Sequence, residues 1–335
     1  MVYIYKKQVG NKEYYYLRAS KREGKKVIVK DVAYLGDNLK KVKENLDNLS
    51  SHKKEIKKAY HTLKVFLDSN YYFKKAKEKK LKKDEFLEEK QLELEACKIH
   101  FVNSFLKLNE LTKKEILNNF LIEFAFNTTS IEGNTITLKE AKNLLEEGKT
   151  PKDKTLREIY DLQNTKKVFF EGYNKKFKEE LSLNFIIKIH DSLLENIDKR
   201  KGLRTTEIRV FKSNFDASPV QYLKTDLELL LKWYKDNKSK LDPLVLATLF
   251  HHKFEKIHPF ADGNGRTGRM IMNYILMKNK HPPIIIQKKF RKEYLNAMQT
   301  ADKSDLSSAN IKDYGELVKF CADEIISNYW NLFLV

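Results

Sequence analysis

Only two cysteines, six prolines and eleven glycines occur among the 335 residues of this chain. Two cysteines, Cys97 and Cys321, build neither a disulfide framework nor a zinc-ligand spacing, and a reducing cytoplasm suits them best. So little proline and glycine argues against a turn-rich, all-β architecture. No window approaches 18 consecutive apolar residues, so no membrane span is expected. The opening "MVYIYKKQ" lacks the apolar stretch of a signal peptide. Lysine, by contrast, abounds: 65 Lys and Arg against 46 Asp and Glu leave a net charge of +19. The first hundred residues carry 26 against 15, or +11, and the remainder 39 against 31, or +8. The densest run is "KKAKEKKLKK", Lys74–Lys83. Its ordinary reading is a solvated helix face; its functional reading is contact with nucleic acid or another acidic partner. At 41% hydrophobic and 12% aromatic, the chain has enough apolar matter for a real core.

Three zones emerge along the chain. Over 1–37, "VYIY", "YYYLR", "KVIV" and "VAYLG" read as short strands separated by the turn chemistry of "VGNK" and "KREGK", a small antiparallel β meander. Over 38–107, sparse apolar positions in a charged background suit two long helices or a helical hairpin, broken at "DSNYY", 68–72, and acting as a spacer or arm. From 108 to 335 the pattern is that of a compact helical domain. Thr112, with Glu115 three residues on, reads as a capping box. Asp242-Pro243 reads as a helix start. The single β element expected there is a hairpin in "TTEIRVFKSNFDASPVQY", 205–222. Residues 1–100 are expected to be removable without loss of that helical domain's site.

The most specific stretch is "HPFADGNGRTGR", 258–269. Glycines 263 and 265 let the backbone turn several N–H groups toward one point just before a helix, which makes an anion nest. Arg266 and Arg269, three residues apart, are expected to share a face and to suit phosphate oxygens. Asp262 is a plausible Mg²⁺ ligand beside a polyphosphate. His258, with an unperturbed pKa near ~6.5, suits a general base. Phe260 reads as an apolar plug. His251 and His252 are adjacent and so diverge by about 100° on a helix, which makes them poor co-ligands for a metal and better suited to core or surface roles.

This stretch resembles the signature of the Fic (Fido) family, HxFx[D/E]GNGRxxR, and matches every specified position. "GLRTTEIRVF" with "DASPV" resembles the family's target-docking flap, here Ile208, Arg209 and Val210, without its usual Pro-rich end. "EYLNAMQTADKSD" looks like the helix lining the adenine pocket, with Tyr294 as a nucleotide contact. "TTSIEGN" is similar to the inhibitory motif [S/T]xxxE[G/N], read as Thr128, Glu132 and Gly133. The resemblance covers roughly 105–325. It implies a mainly α fold, with a Fic-type helical core and a β-hairpin flap following the N-terminal meander and charged helices.

It also implies a protein AMP-transferase using ATP and Mg²⁺ to modify a Ser, Thr or Tyr hydroxyl of a protein target, with self-modification and oligomers left open. His258 would be the base and Asp262 the Mg²⁺ ligand. Gly263, Asn264, Gly265, Arg266 and Arg269 would cradle the phosphates, and Glu132 would inhibit by pairing with Arg269. Transfer of phosphate, UMP or phosphocholine, or removal of AMP, would use the same site. A basic nucleic-acid-binding module is the non-enzymatic rival.

Overall fold

A computed structural model describes residues 2–208 and 216–334. Its three N-terminal strands, β1 (Val2–Val9), β2 (Lys12–Glu23) and β3 (Lys26–Gly36), form one antiparallel sheet in the order β1-β2-β3. Gly10 and Gly24 take positive φ, 58° and 61°, at the two reversals. "KVIV" and "VAYLG" are one continuous strand, not two, because β3 follows β2 across irregularities at Tyr15/Tyr16 and Leu17/Arg18.

Four helices follow: α1 (Leu39–Asn48), α2 (Lys53–Lys58), α3 (Tyr60–Glu78) and α4 (Gln91–Asn103). The expected break at 68–72 is absent. Ser69 Oγ and Asn70 Nδ2 donate to the Phe66 carbonyl at 3.2 and 2.8 Å, so these polar groups are satisfied on the preceding turn and α3 runs through. The reversal falls after Glu78, where the Asp84 carboxylate accepts from the Phe86 and Leu87 N–H groups.

Nine helices complete the described chain. They are α5 (Glu110–Ile131), α6 (Leu138–Glu147), α7 (Leu156–Asn174), α8 (Leu183–Leu193), α9 (Leu223–Asn237), α10 (Pro243–Ile257), α11 (Asn264–Lys278), α12 (Arg291–Ala301) and α13 (Ile311–Phe333). Six of the nine, α5, α6, α7, α8, α10 and α13, start at a side chain that satisfies an orphan N–H group. Thr137 and Thr155 form complete capping boxes with Glu140 and Glu158. Thr112 is not a cap, contrary to expectation: Asn109 accepts from the Thr112 N–H at 2.9 Å and starts α5 three residues earlier. Asp242 caps α10, with Pro243 as its first residue.

The main core gathers around α10 and α11, where Leu244 through Leu249, Phe250, Phe254 and Ile257 are fully buried. α4 contributes Leu94, Cys97, Ile99 and Phe101 to that same core, joined by Phe105. The expected removable segment therefore includes residues that the core is built on. A second, smaller cluster joins the sheet to α1 and the first half of α3 through Ile4, Tyr15, Leu17, Val42 and Leu63. The change from one core to the other thus falls within α3, not near residue 107. In the 205–222 segment, the described part carries no strand, and Val220–Tyr222 is a 3₁₀ turn. Arg209 and Val210 lie outside the described residues, whereas Ile208 is half-buried.

Candidate active site

The loop between α10 and α11 is held from three sides. His258 caps α10 in the left-handed region, φ 49° and ψ 60°, with its N–H donating to the Phe254 carbonyl at 3.0 Å. Asn264 closes the loop reciprocally: its Oδ1 accepts from the Phe260 N–H at 3.0 Å and its Nδ2 donates to the Phe260 carbonyl at 2.8 Å. Phe260 is fully buried and stacks on His190 at 3.7 Å, while His190 Nε2 bonds the Asp262 carbonyl at 3.0 Å. On the other side, Arg204 donates through Nε to the His258 carbonyl at 2.9 Å. A loop clamped at this many points is pre-organised.

His258 Nδ1 lies 3.3 Å from the Glu255 carbonyl, a contact in which it is the donor when the ring is neutral. That leaves Nε2 as the acceptor. Burial, the largest influence, lowers the pKa of His258, so it is neutral and basic near neutrality.

Gly263, φ 77°, stands at the N-cap of α11, and a Cβ there would meet Leu194 Cδ2 at 2.6 Å. The Gly263 N–H donates to Asp262 Oδ1 at 2.6 Å, so the N–H groups that begin α11 are those free for an anion. A Cβ on Gly265 would collide with Glu132 Oε1. The bare backbone at 265 is therefore what admits a carboxylate, or another anion, over this helix start. The Asn264 side chain is committed to the loop, not to that seat.

The two arginines do not point together. Arg266 pairs with Asp161 of α7 and, at 3.3 Å, with Asp262. Arg269 turns to α5, donating from Nε to Thr128 Oγ1 at 2.7 Å, and from Nη2 to the Thr128 carbonyl at 2.9 Å and Glu132 Oε1 at 2.7 Å. Burial opposes the charge on Arg269, but Glu132 more than offsets it and its pKa is raised. Glu132 itself follows the last residue of α5, its N–H bonded to the Thr129 carbonyl at 3.1 Å, and Gly133 turns the chain away at φ 106°.

Asp262 is ionised: burial raises its pKa, yet Arg266 and Arg157 outweigh that and the net direction is downward. One carboxylate at the lip of an anion seat fits Mg²⁺ bound jointly with phosphate oxygens, since that ion takes one or two carboxylates and keeps the rest for substrate and water. Arg157 now pairs with Asp262 Oδ2 and would have to give way. Among the described residues no group of three or more His, Cys, Asp or Glu could hold a metal alone.

A cleft of about 1160 Å³, counted to its open mouth, unites Glu132, His258, Asp262, Arg269 and Tyr294. Its far wall is Leu295 and Met298, and a flat apolar base suits that wall. Tyr294 lines the cleft but is buried, with its hydroxyl 2.5 Å from His251 Nε2. His252 bonds Tyr314 and Asp302 at 3.2 and 3.1 Å, so both histidines serve the core.

Sequence reasoning missed Asp161, Arg157 and Glu255. The first two reach the site only through the fold, across 105 residues. Glu255 was within reach, three residues before His258 in the last turn of α10. Its Oε2 lies 4.0 Å from His258 Nδ1, and its Oε1 has no partner among the described residues. Burial, with help from Glu132, pushes its pKa up to about 8.

Residues 180–276, which hold this loop, α10 and all but the last two residues of α11, match the Fic/DOC family model. The chain carries a Fic domain. It is 30% identical over 253 residues to protein adenylyltransferase Fic of Drosophila grimshawi, covering 72% of this chain and 48% of that protein. To protein adenylyltransferase fic-1 of Caenorhabditis elegans it is 28% identical over 219 residues, covering 61% and 43%. The chain thus spans about half the length of these curated relatives. Among solved structures, a Fic-domain-containing signaling protein from Bacteroides thetaiotaomicron superposes with a TM-score of 0.63 at 24% identity, over 69% of this chain and 93% of that one. A Fic-1 segment from C. elegans gives 0.59 at 26% identity over 69% of each. The mainly α fold and its Fic core are those the sequence led us to expect.

Proposed function

We propose that this protein transfers AMP from ATP to a Ser, Thr or Tyr hydroxyl of a protein, with Glu132 as an internal brake. The observation that carries this reading is one cleft in which a neutral, oriented imidazole faces a helix-start anion seat and a fully buried arginine. The adenylyltransferase names of the relatives support AMP as the group moved.

In the reaction, the target hydroxyl gives its proton to His258 Nε2 as its oxygen attacks the α-phosphorus. A new P–O bond forms, the bond between the α-phosphorus and the bridging oxygen breaks, and pyrophosphate leaves with that electron pair. The N–H groups opening α11 face the charge that grows on the phosphates, and such fixed donors are commonly the largest catalytic contribution. Arg269, freed from Glu132, holds the far end of the triphosphate. Arg266, already flanked by Asp161 and Asp262, shapes the seat from beneath. Asp262 would hold Mg²⁺, which neutralises phosphate charge when bound. The apolar wall at Leu295 and Met298, with Tyr294 behind it, would take the adenine, and Ile208 to Val210 the target segment.

Transfer of phosphate, UMP or phosphocholine, or removal of AMP, would keep the same cleft and differ in what lies along it. A nucleic-acid module built on Lys74–Lys83 is less favoured, because Lys74 pairs with Glu13 at 2.9 Å and Lys79 with Glu95 at 2.6 Å. The cytoplasm suits the two free, buried cysteines, and among the described residues no helix is long and apolar enough to cross a membrane. Incubating a lysate with ATP and the Glu132→Gly chain, then mapping modified residues by mass spectrometry, tests the reading. AMP on Ser, Thr or Tyr side chains is expected. Phosphate alone at those positions would contradict it.

A further inference from the structure

The N-terminal sheet has a feature that the catalytic reading does not use. β1 pairs with β2 only as far as Val2↔Ala19, whereas β2 and β3 remain paired to Glu23↔Lys26. From Ser20 to Val29, β2 and β3 therefore form a two-stranded ribbon reaching about 14 Å past the edge of β1, at ~3.4 Å per residue. Every residue from Lys21 to Asp31 is exposed, so neither face of the ribbon is covered by the rest of the described chain. Gly24 turns the tip at φ 61°.

The composition of this ribbon is one-sided. "SKREGKKVIVK", 20–30, holds five Lys and Arg against one Glu, a net of +4. Lys21 pairs with Glu23 at 3.2 Å, and Arg22 reaches only the Gly24 carbonyl at 3.4 Å. Lys25, Lys26 and Lys30 meet no acidic side chain at ion-pair distance among the described residues. Between them stand Val27, Ile28 and Val29, exposed by 63%, 50% and 46%. Paired residues of an antiparallel ladder share a face. Ile28 and Lys21 thus lie on one face, and Val27 and Arg22 on the other. Both faces present cations beside short apolar side chains.

An unsupported, strongly basic strand pair is a poor device for stability: its edges are open and its like charges repel. It matches a partner that is polyanionic and has a slot for it. The major groove of B-form DNA, ~12 Å wide, admits a two-stranded β-ribbon, offers phosphates along both walls and thymine methyls on its floor. The deep, narrow major groove of duplex RNA does not admit it.

We propose that the β2–β3 ribbon is a duplex-DNA-binding arm, with Lys21, Arg22, Lys25, Lys26 and Lys30 on the phosphates and Val27 and Val29, which share a face, on the groove floor. The arm stands independently of the Fic chemistry. Lys74–Lys83, the run that the sequence alone made most conspicuous, is not the contact.

Fluorescence anisotropy of the full chain with a labelled 24-base-pair mixed-sequence duplex, between 50 and 200 mM salt, tests this. Binding should weaken with salt with a log–log slope of about 4 to 5, as five neutralised phosphates require at ~0.9 each. Lys25→Glu with Lys26→Glu and Lys30→Glu should weaken binding at least tenfold, while circular dichroism stays that of the parent. Lys77→Glu with Lys80→Glu and Lys82→Glu should change it by less than threefold. Duplex RNA of the same sequence should bind several-fold more weakly than the DNA. Absence of DNA binding at 50 mM salt would overturn the proposal, as would equal affinity for the two duplexes. So would loss of binding in the second triple variant but not the first, or binding to anionic lipid vesicles in preference to DNA.

Discussion

Replacing Glu132 by glycine removes the carboxylate that Arg269 faces at 2.7 Å and opens the space above Gly265. The two side chains are 4% and 44% exposed. A hydrogen bond to a charged group contributes about 1.5–3 kcal/mol when buried. Solvent reaches the Glu132 side, which screens the pair and brings the figure to roughly 1–2 kcal/mol. Such a bias holds about 85–97% of molecules in the blocked arrangement. Its removal should raise the initial rate of AMP incorporation at saturating ATP by roughly 5–30-fold, at ~1.4 kcal/mol per decade. Stability should move the opposite way. Arg269 keeps its two bonds to Thr128 but loses its only carboxylate among the described residues, so the nucleotide-free variant should melt about 1–3 °C lower, from a loss of about 1 kcal/mol. Adding ATP should recover most of that. The assay is label from ATP retained on protein, with thermal melts of the same samples. If Glu132→Gly transferred no faster and melted no lower than the parent, then Glu132 would be neither a brake nor a partner that matters to Arg269.

Other outcomes follow from the same cleft. His258→Ala in the Glu132→Gly background should lower transfer by about 10²–10⁴-fold while calorimetry finds ATP binding nearly unchanged, because a base acts only in the chemical step. The acid limb of kcat/KM should lie below pH 6.5, since burial lowers the pKa of His258 and the ring stays neutral to more acidic pH. Asp262→Ala should remove the Mg²⁺ dependence of the residual activity, and Arg269→Ala should weaken ATP far more than AMP. Glu255, with its pKa raised to about 8 from an ordinary 4.5, contributes stability that is full below pH 4.5 and fades as pH rises through 8. Glu255→Gln should therefore flatten the fall in melting temperature between pH 5 and 9. A chain starting at residue 105 should fail to give a cooperative melt, because it lacks Leu94, Cys97, Ile99 and Phe101.

Local chemistry was legible where the cause was local. The Asp242-Pro243 start and the glycine turns of the sheet are each decided within four residues. So is the loop at 258–269, whose residue types stand close enough in sequence to meet in space. Legibility failed where two local signals competed. Asn109 outbid Thr112 as a cap, and Ser69 and Asn70 satisfied themselves on Phe66 when a break was expected. It failed again where the partner lay far along the chain. Nothing near Arg266 in sequence announces Asp161, and nothing near Cys97 announces that α4 packs with helices that come more than a hundred residues later. The Arg269–Glu132 pair spans 137 residues and was legible only through the family resemblance.

Whether AMP is the group that His258 transfers is decided by a paired incubation of the Glu132→Gly chain with ATP labelled at the α- or the γ-phosphorus, with protein-bound label counted and His258→Ala as control. Label is expected on protein from the α position only, at a rate that His258→Ala abolishes. Label arriving from the γ position, or α label that persists undiminished without His258, would contradict it.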